Sequence, residues 1–324
     1  MGESRAGDAR RVLNVGGCTV LVEARGRRWA EAVAGLERDW RGQCEGPFAG
    51  RILCGSDPGP PPSRRPEFTD GPIQVWSVGD SPHIELENAR LAMSEDGSVV
   101  IDGDPKQAEA ALDRALPLAL GWVLGRAESW VVHASAFVTD RAAVADGPGA
   151  VLVFGDTGAG KSTTAASALN AGWPVLSDDL VAVRWRERPE ATGIPRTVWV
   201  PAELGTLRGA GRTIGTDGRR RRAVRPELAK GWFSVRAVVL VGHGTDPQTR
   251  VERIGSVEAL RALWSAHFPA LIPSRLARWF PLAARLARLP AWRLNLGTDY
   301  SARLATTADA LSVVTATGTS PLPL

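Results

Sequence analysis

Ala150-Val-Leu-Val-Phe154-Gly155-Asp-Thr-Gly-Ala-Gly160-Lys161-Ser162-Thr163 is the stretch on which the reading of this chain turns. Its first five residues are a continuous apolar run, the pattern of a strand buried on both faces of a sheet. The next eight, Gly155 to Ser162, fit G-x-x-x-x-G-K-[ST] without deviation. Helical spacing continues over 162–171, and Gly172 stands at the position where a helix commonly closes on a glycine. Strand, glycine-rich loop and helix therefore come in the order a phosphate-binding loop requires.

Each residue type has a physical task there. Glycines let the backbone turn tightly enough for its N–H groups to point at phosphate oxygens, and the positive end of the helix adds to that field. A lysine at position 161 reaches the β- and γ-phosphates, and a hydroxyl at 162 ligates Mg²⁺. Gly155, Asp156, Thr157, Gly158, Ala159, Gly160, Lys161, Ser162 and Thr163 are thus the candidate binding set for ATP or a related nucleotide. The chain has only three lysines, Lys106, Lys161 and Lys230, against a large excess of arginine. A lysine kept at the motif position in so lysine-poor a sequence counts for the motif. A dinucleotide fingerprint is excluded, because G-x-G-x-x-G has no lysine role and a different spacing.

Outward from the loop, strands alternate with helices. Val131–Val138, Pro174–Ser177, Leu180–Arg184 and Arg236–Val241 read as strands, and 256–267, 274–288 and 301–311 as helices. The alternation predicts an α/β domain with helices on both sheet faces, over 116–324. Before it, residues 1–115 read as a small α+β module: a hairpin over 13–24 around Gly16-Gly17, a helix at 28–40, a Pro-rich linker from Gly55 to Pro72, and strands at 73–78 and 97–102. The Ala/Leu-rich segment 106–125 has helical spacing that Pro117 is expected to kink or divide.

At 324 residues the length suits one large or two ordinary domains, and 44% hydrophobic with 23% charged residues is the balance of a globular protein. Three cysteines without a C-x-x-C pair argue against a disulfide framework or a zinc site and fit a reducing cytoplasm. The polar start, MGESRAGDARR, lacks the apolar core of a signal peptide, and no run approaches a membrane span. A net charge of +4 gives no reason to expect nucleic acid. The basic run Arg219–Arg222, joined by Arg225, reads as a loop: a solvated surface, or else a flap that clamps phosphate. Trp264, Phe268, Trp279, Phe280 and Trp292 sit at helical spacings and read as core, or else as a greasy acceptor groove.

The loop leaves the reaction open. No L-S-G-G-Q stands downstream of it, as in a transporter ATPase, and no N-K-x-D for guanine. The chain runs on instead through Ala171-Gly-Trp-Pro-Val-Leu-Ser-Asp178-Asp179-Leu-Val-Ala-Val183. Two adjacent carboxylates closing a buried strand beside a phosphate site call for a cation, and one of them suits proton acceptance.

With this segment the sequence resembles the HPr kinase/phosphorylase family and its relatives in bacterial biosynthetic clusters, themselves similar to the ATP-dependent phosphoenolpyruvate carboxykinases. The likeness covers about 130–185. It rests on the loop, the short glycine-closed helix, the Asp pair whose second member lies 18 positions after Lys161, and a histidine before the loop, His133 in Val131-Val-His-Ala-Ser135. The resemblance implies a P-loop kinase domain of that type preceded by the small N-terminal module. It also implies transfer of the γ-phosphoryl of ATP to a Ser/Thr-type hydroxyl on a peptide, a carrier protein or a small molecule. Asp179 would be the base, with Lys161 and His133 beside it. Mg²⁺ would sit on Ser162, Asp178 and, in place of the family's glutamate, Glu203. The family's L-E-I-R-G-L-G-I stretch is replaced by Pro201–Gly211, and its catalytic arginine has no clear counterpart. HPr itself is therefore a poor candidate for the acceptor, and a nucleotide-binding regulatory module without transfer activity stays open. So does association into a homo-oligomer.

Overall fold

A computed structural model of the chain describes residues 8–40, 46–78, 81–139, 147–194, 198–201, 212–216, 221–225, 228–265 and 273–317. The protein is mixed α/β, with two large mixed sheets and six α-helices among these residues. It divides into two compact units, Met1–Val131 with Phe268–Arg278, and Val132–His267 with Trp279–Leu324. That seam falls after the helix at 106–125, whereas the sequence reading begins the second domain at 116.

In the first unit, strands β1 (Ala9–Val15) and β2 (Cys18–Ala24) form the hairpin expected around Gly16-Gly17, and α1 (Arg27–Trp40) comes next. The sheet continues with β3 (Phe48–Cys54), β4 (Phe68–Asp70), β5 (Ile73–Val78), β6 (Ser81–Glu85), β7 (Arg90–Met93) and β8 (Ser98–Asp102), in the order β1-β2-β3-β8-β7-β6-β5-β4. The polar segment between the two expected strands thus holds two more, and the Pro-rich stretch ends in a short strand. Sequence polarity hid β6 and β7 because only alternate residues, such as Pro82, Ile84, Leu91 and Met93, are buried. Helix α2 (Ala108–Gly125) runs through Pro117 undivided. Its residues from Ala115 to Gly125 are all buried, so packing outweighs the one backbone hydrogen bond that proline removes.

The second unit is built on a nine-stranded sheet. Its elements are β9 (Ser129–His133), β10 (Ser135–Val138), β11 (Gly149–Phe154), α3 (Lys161–Asn170), β12 (Val175–Ser177), β13 (Leu180–Trp185) and β14 (Pro189–Gly193). A separate three-stranded sheet comprises β15 (Val198–Pro201), β16 (Arg212–Thr216) and β17 (Arg221–Arg225). The rest are β18 (Phe233–His243), β19 (Arg250–Arg253), α4 (Ser256–Ser265), α5 (Pro273–Leu286), β20 (Ala291–Leu296) and α6 (Arg303–Thr317). Strands β11, β18 and β20 run parallel; the other pairings in this sheet are antiparallel among those described. A parallel core with antiparallel additions thus replaces the simple alternation read from sequence.

Val151 and Val153, Val239 and Val241, and Leu294 and Leu296 point to one face, where Ala165, Ala166 and Leu169 of α3 and Leu311 and Val314 of α6 cover them. Burying a Val or Leu side chain is worth about 1.5–3 kcal/mol, so this cluster fixes α3 on the sheet. Helix α4 also touches β18 and β20 but adds no residue to that cluster.

Two aromatic readings divide. Trp279 and Trp292 are buried, whereas Trp264 and Phe280 meet edge to face while remaining partly exposed. Phe268 lies outside the described residues, as do Arg219 and Arg220. The reading of a basic loop is corrected over Arg221–Arg225: this segment is the middle strand of the three-stranded sheet, paired with β15 and β16.

Candidate functional site

Strand β11 ends at Phe154, the glycine-rich loop comes after it, and α3 begins at Lys161. Gly160 caps that helix at φ 112°, in the left-handed region. A Cβ there would also lie 2.1 Å from Leu296 Cδ1, so β20 packs under the loop and only glycine fits. The loop owes its position to neighbouring strands as well as to its own turn chemistry.

Lys161 is only 6% exposed and folds back over the loop. Its Nζ donates to the carbonyl oxygens of Gly155 at 2.7 Å and Asp156 at 3.0 Å. Burial lowers its pKa below the usual lysine value, and the nearby carboxylates of Asp179, Asp156 and Asp178 only partly oppose this. An ammonium held by carbonyls and short of compensating charge is well suited to receive an anion.

Strand register brings the other candidates to the same place. Ser135 pairs with Val153, and Ala136 with Ser177, both antiparallel. The start of β10, the end of β11 and the end of β12 therefore share one end of the sheet. Immediately beyond those ends stand His133, Gly155 and Asp178-Asp179. Two breaks face each other here, Ala134 between β9 and β10, and the Asp pair between β12 and β13. Across them the Ala134 N–H donates to the Asp179 carbonyl at 3.1 Å. In the strand order β12-β10-β11-β18-β14-β13-β9, the two segments flanking each break join opposite ends of the sheet. Ligands of α/β sheets favour such points of divergence beyond strand ends.

The side chains conform to this geometry. His133 Nδ1 lies 3.0 Å from Asp179 Oδ1, with both side chains about one-third exposed at 31% and 32%. Asp178 is 4% exposed. Buried Ser177 accepts at Oγ from the N–H groups of Asp179 at 3.3 Å and Leu180 at 3.2 Å, fixing the turn that carries both carboxylates. Ser135, fully buried, donates from Oγ to the Lys161 carbonyl at 3.2 Å and ties β10 to the first turn of α3. Neither serine was singled out from sequence; only the fold shows which backbone groups they reach.

No protein-family model matches this chain, and no curated protein matches it.

Of the residues chosen from sequence, His133, Lys161, Asp178, Asp179 and the loop Gly155–Thr163 share one sheet end. Glu203 lies outside the described residues. The donors on hand for Mg²⁺ are oxygens, from half-exposed Ser162 and from Asp178 and Asp179, which suits a hard cation that keeps several waters and takes one or two carboxylates. Among the described residues, no group of three or more His, Cys, Asp or Glu side chains is placed to hold a metal by itself. No described helix is long and apolar enough to cross a membrane.

One residue at this site escaped sequence reasoning. His243 ends β18, the parallel neighbour of β11, and its Nε2 lies 2.9 Å from the carbonyl oxygen of Gly158. Many P-loop proteins hold Mg²⁺ with an aspartate on a neighbouring strand. Here that strand ends in histidine, and the carboxylates near the loop, Asp178 and Asp179, follow β12 on the other flank. A polar residue closing a buried parallel strand in Leu240-Val-Gly-His243 was the available signal.

Proposed function

We propose that this chain is an ATP-dependent phosphotransferase of the HPr kinase/phosphoenolpyruvate carboxykinase type, moving the γ-phosphoryl to a Ser/Thr-type hydroxyl. The observation that carries the reading is the convergence of a desolvated Lys161 ammonium with the Asp178-Asp179 turn. Phosphate binding alone explains the lysine. It does not explain a second, half-exposed carboxylate braced by a histidine beside it.

In this reading the loop N–H groups and Lys161 hold the β- and γ-phosphates, and Ser162 with Asp178 holds Mg²⁺. When bound, that ion neutralises phosphate charge. Asp179 accepts the hydroxyl proton on a carboxylate oxygen as the acceptor oxygen bonds to the γ-phosphorus and the bond to ADP breaks. His133 orients Asp179. The acceptor is a peptide, a carrier protein or a small alcohol.

Calorimetry with ATP and Mg²⁺, and then transfer from γ-labelled ATP to a Ser/Thr peptide library and to small alcohols, tests this. Binding that disappears in Lys161→Ala, together with label on a hydroxyl, is the expected result. Absence of ATP binding refutes the reading, and binding without transfer to any acceptor class converts it to a regulatory module.

A further inference from the structure

The crown of the loop is thinly supported. Asp156, Thr157 and Gly158 are exposed, and a Cβ at Gly158 would meet nothing within 4 Å. Gly158 is needed there for its backbone, at φ 84°, and not for room. Such a segment has little packing to hold it, so ordering it around a ligand costs conformational entropy.

We infer that His243 is a positioning residue that holds this crown in its phosphate-receiving shape, an inference resting on the nucleotide-binding reading above. Its Nε2–H donates to the Gly158 carbonyl across 85 residues of sequence. In a trans peptide the C=O and N–H of one unit point in opposite directions. Drawing the Gly158 carbonyl toward β18 therefore turns the Ala159 N–H away from β18 and into the loop. There it donates to the Asp156 carbonyl at 3.0 Å, the same oxygen that receives Lys161 Nζ. The Ala159 amide and the Lys161 ammonium thus close on the same Asp156 carbonyl oxygen, so the turn that His243 fixes is also the one that positions the phosphate-binding lysine. His243 meets the loop at the Gly158 carbonyl, so it acts through that peptide and not on phosphate. The strand that carries it is anchored by Val239 and Val241 in the core, which makes it a rigid support for a loop with few contacts.

His243→Ala removes the donor at an exposed position, so the fold survives. One such hydrogen bond accounts for roughly 3–10-fold in affinity, and His243→Ala is expected to weaken ADP binding by that factor in calorimetry. Amide hydrogen exchange over Thr157–Gly160 in the ligand-free protein should quicken. His243→Gln, whose side-chain amide can donate to the same carbonyl, should bind ADP within about twofold of wild type. Unchanged ADP affinity in His243→Ala overturns the inference. So does an equal loss in both variants, which would mean that ring packing and not the donated hydrogen bond is responsible. Lys161→Ala is the control: if it too binds ADP normally, the nucleotide reading itself fails. If it loses binding while His243→Ala keeps it, only the role of His243 fails.

Discussion

Replacing Asp179 by Asn keeps the shape of the side chain and an oxygen beside His133 Nδ1, which lies 3.0 Å from Asp179 Oδ1, but removes the carboxylate that can take a proton. The two side chains are about one-third exposed, so losing the charge from this contact costs at most about 1 kcal/mol of stability. The turn stays in place because its backbone is held by Ser177 Oγ and by the Ala134 N–H. Nucleotide affinity should also hold within a few-fold, since a carboxylate that attracts Lys161 also repels the phosphates. Chemistry is different. An alcohol is far too weak an acid to ionise unaided, and a positioned base contributes roughly 100–10,000-fold. Asp179→Asn should therefore slow transfer by about 100-fold or more at nearly normal ATP binding. The assay is single-turnover transfer from γ-labelled ATP to the peptide library at several Mg²⁺ concentrations. Asp178→Asn, beside it and buried, should instead raise the Mg²⁺ requirement. Transfer at the normal rate by Asp179→Asn, or a defect that extra Mg²⁺ cures, refutes the assignment of the base.

Lys161→Met should abolish ATP binding and raise the melting temperature by about 1–3 °C, because a desolvated charge leaves the loop. The sign can be checked with pH. Burial lowers the lysine's folded-state pKa, so its cost to stability is full below that value and fades as pH climbs toward the usual 10.5, where the Met variant's advantage should shrink. Gly160→Ala meets Leu296 and a left-handed backbone together, and should cost about 1–3 kcal/mol in denaturant unfolding as well as nucleotide binding. Unchanged unfolding midpoints would show that β20 does not constrain the loop. Ser177→Ala leaves two turn amides without their acceptor; it should destabilise by about 1–3 kcal/mol and lower the transfer rate with ATP affinity kept. Equal losses of rate and affinity would argue against a specific effect on the Asp turn.

The strand–loop–helix unit was legible from residues 150–172 because its signals are local: an apolar run, glycines at fixed offsets, a helical period and a closing glycine. The hairpin at Gly16-Gly17, the helix at 27–40 and the closing helix from Arg303 were legible for the same reason. The short strands β6 and β7, in which only alternate residues are buried, were not, and β14 and the three-stranded sheet also went unread. The sequence could single out His133, Lys161, Asp178 and Asp179 by type and spacing. Their meeting required the register Ser135–Val153 and Ala136–Ser177, and strand pairing between distant segments depends on side-chain packing that no local pattern encodes. Pro117 shows the converse, since a local breaker is overruled where the helix around it, Ala115–Gly125, is buried. The sequence marks His243 only as a polar residue closing an apolar strand, and the parallel pairing of β18 with β11 is what sets its ring against the Gly158 carbonyl.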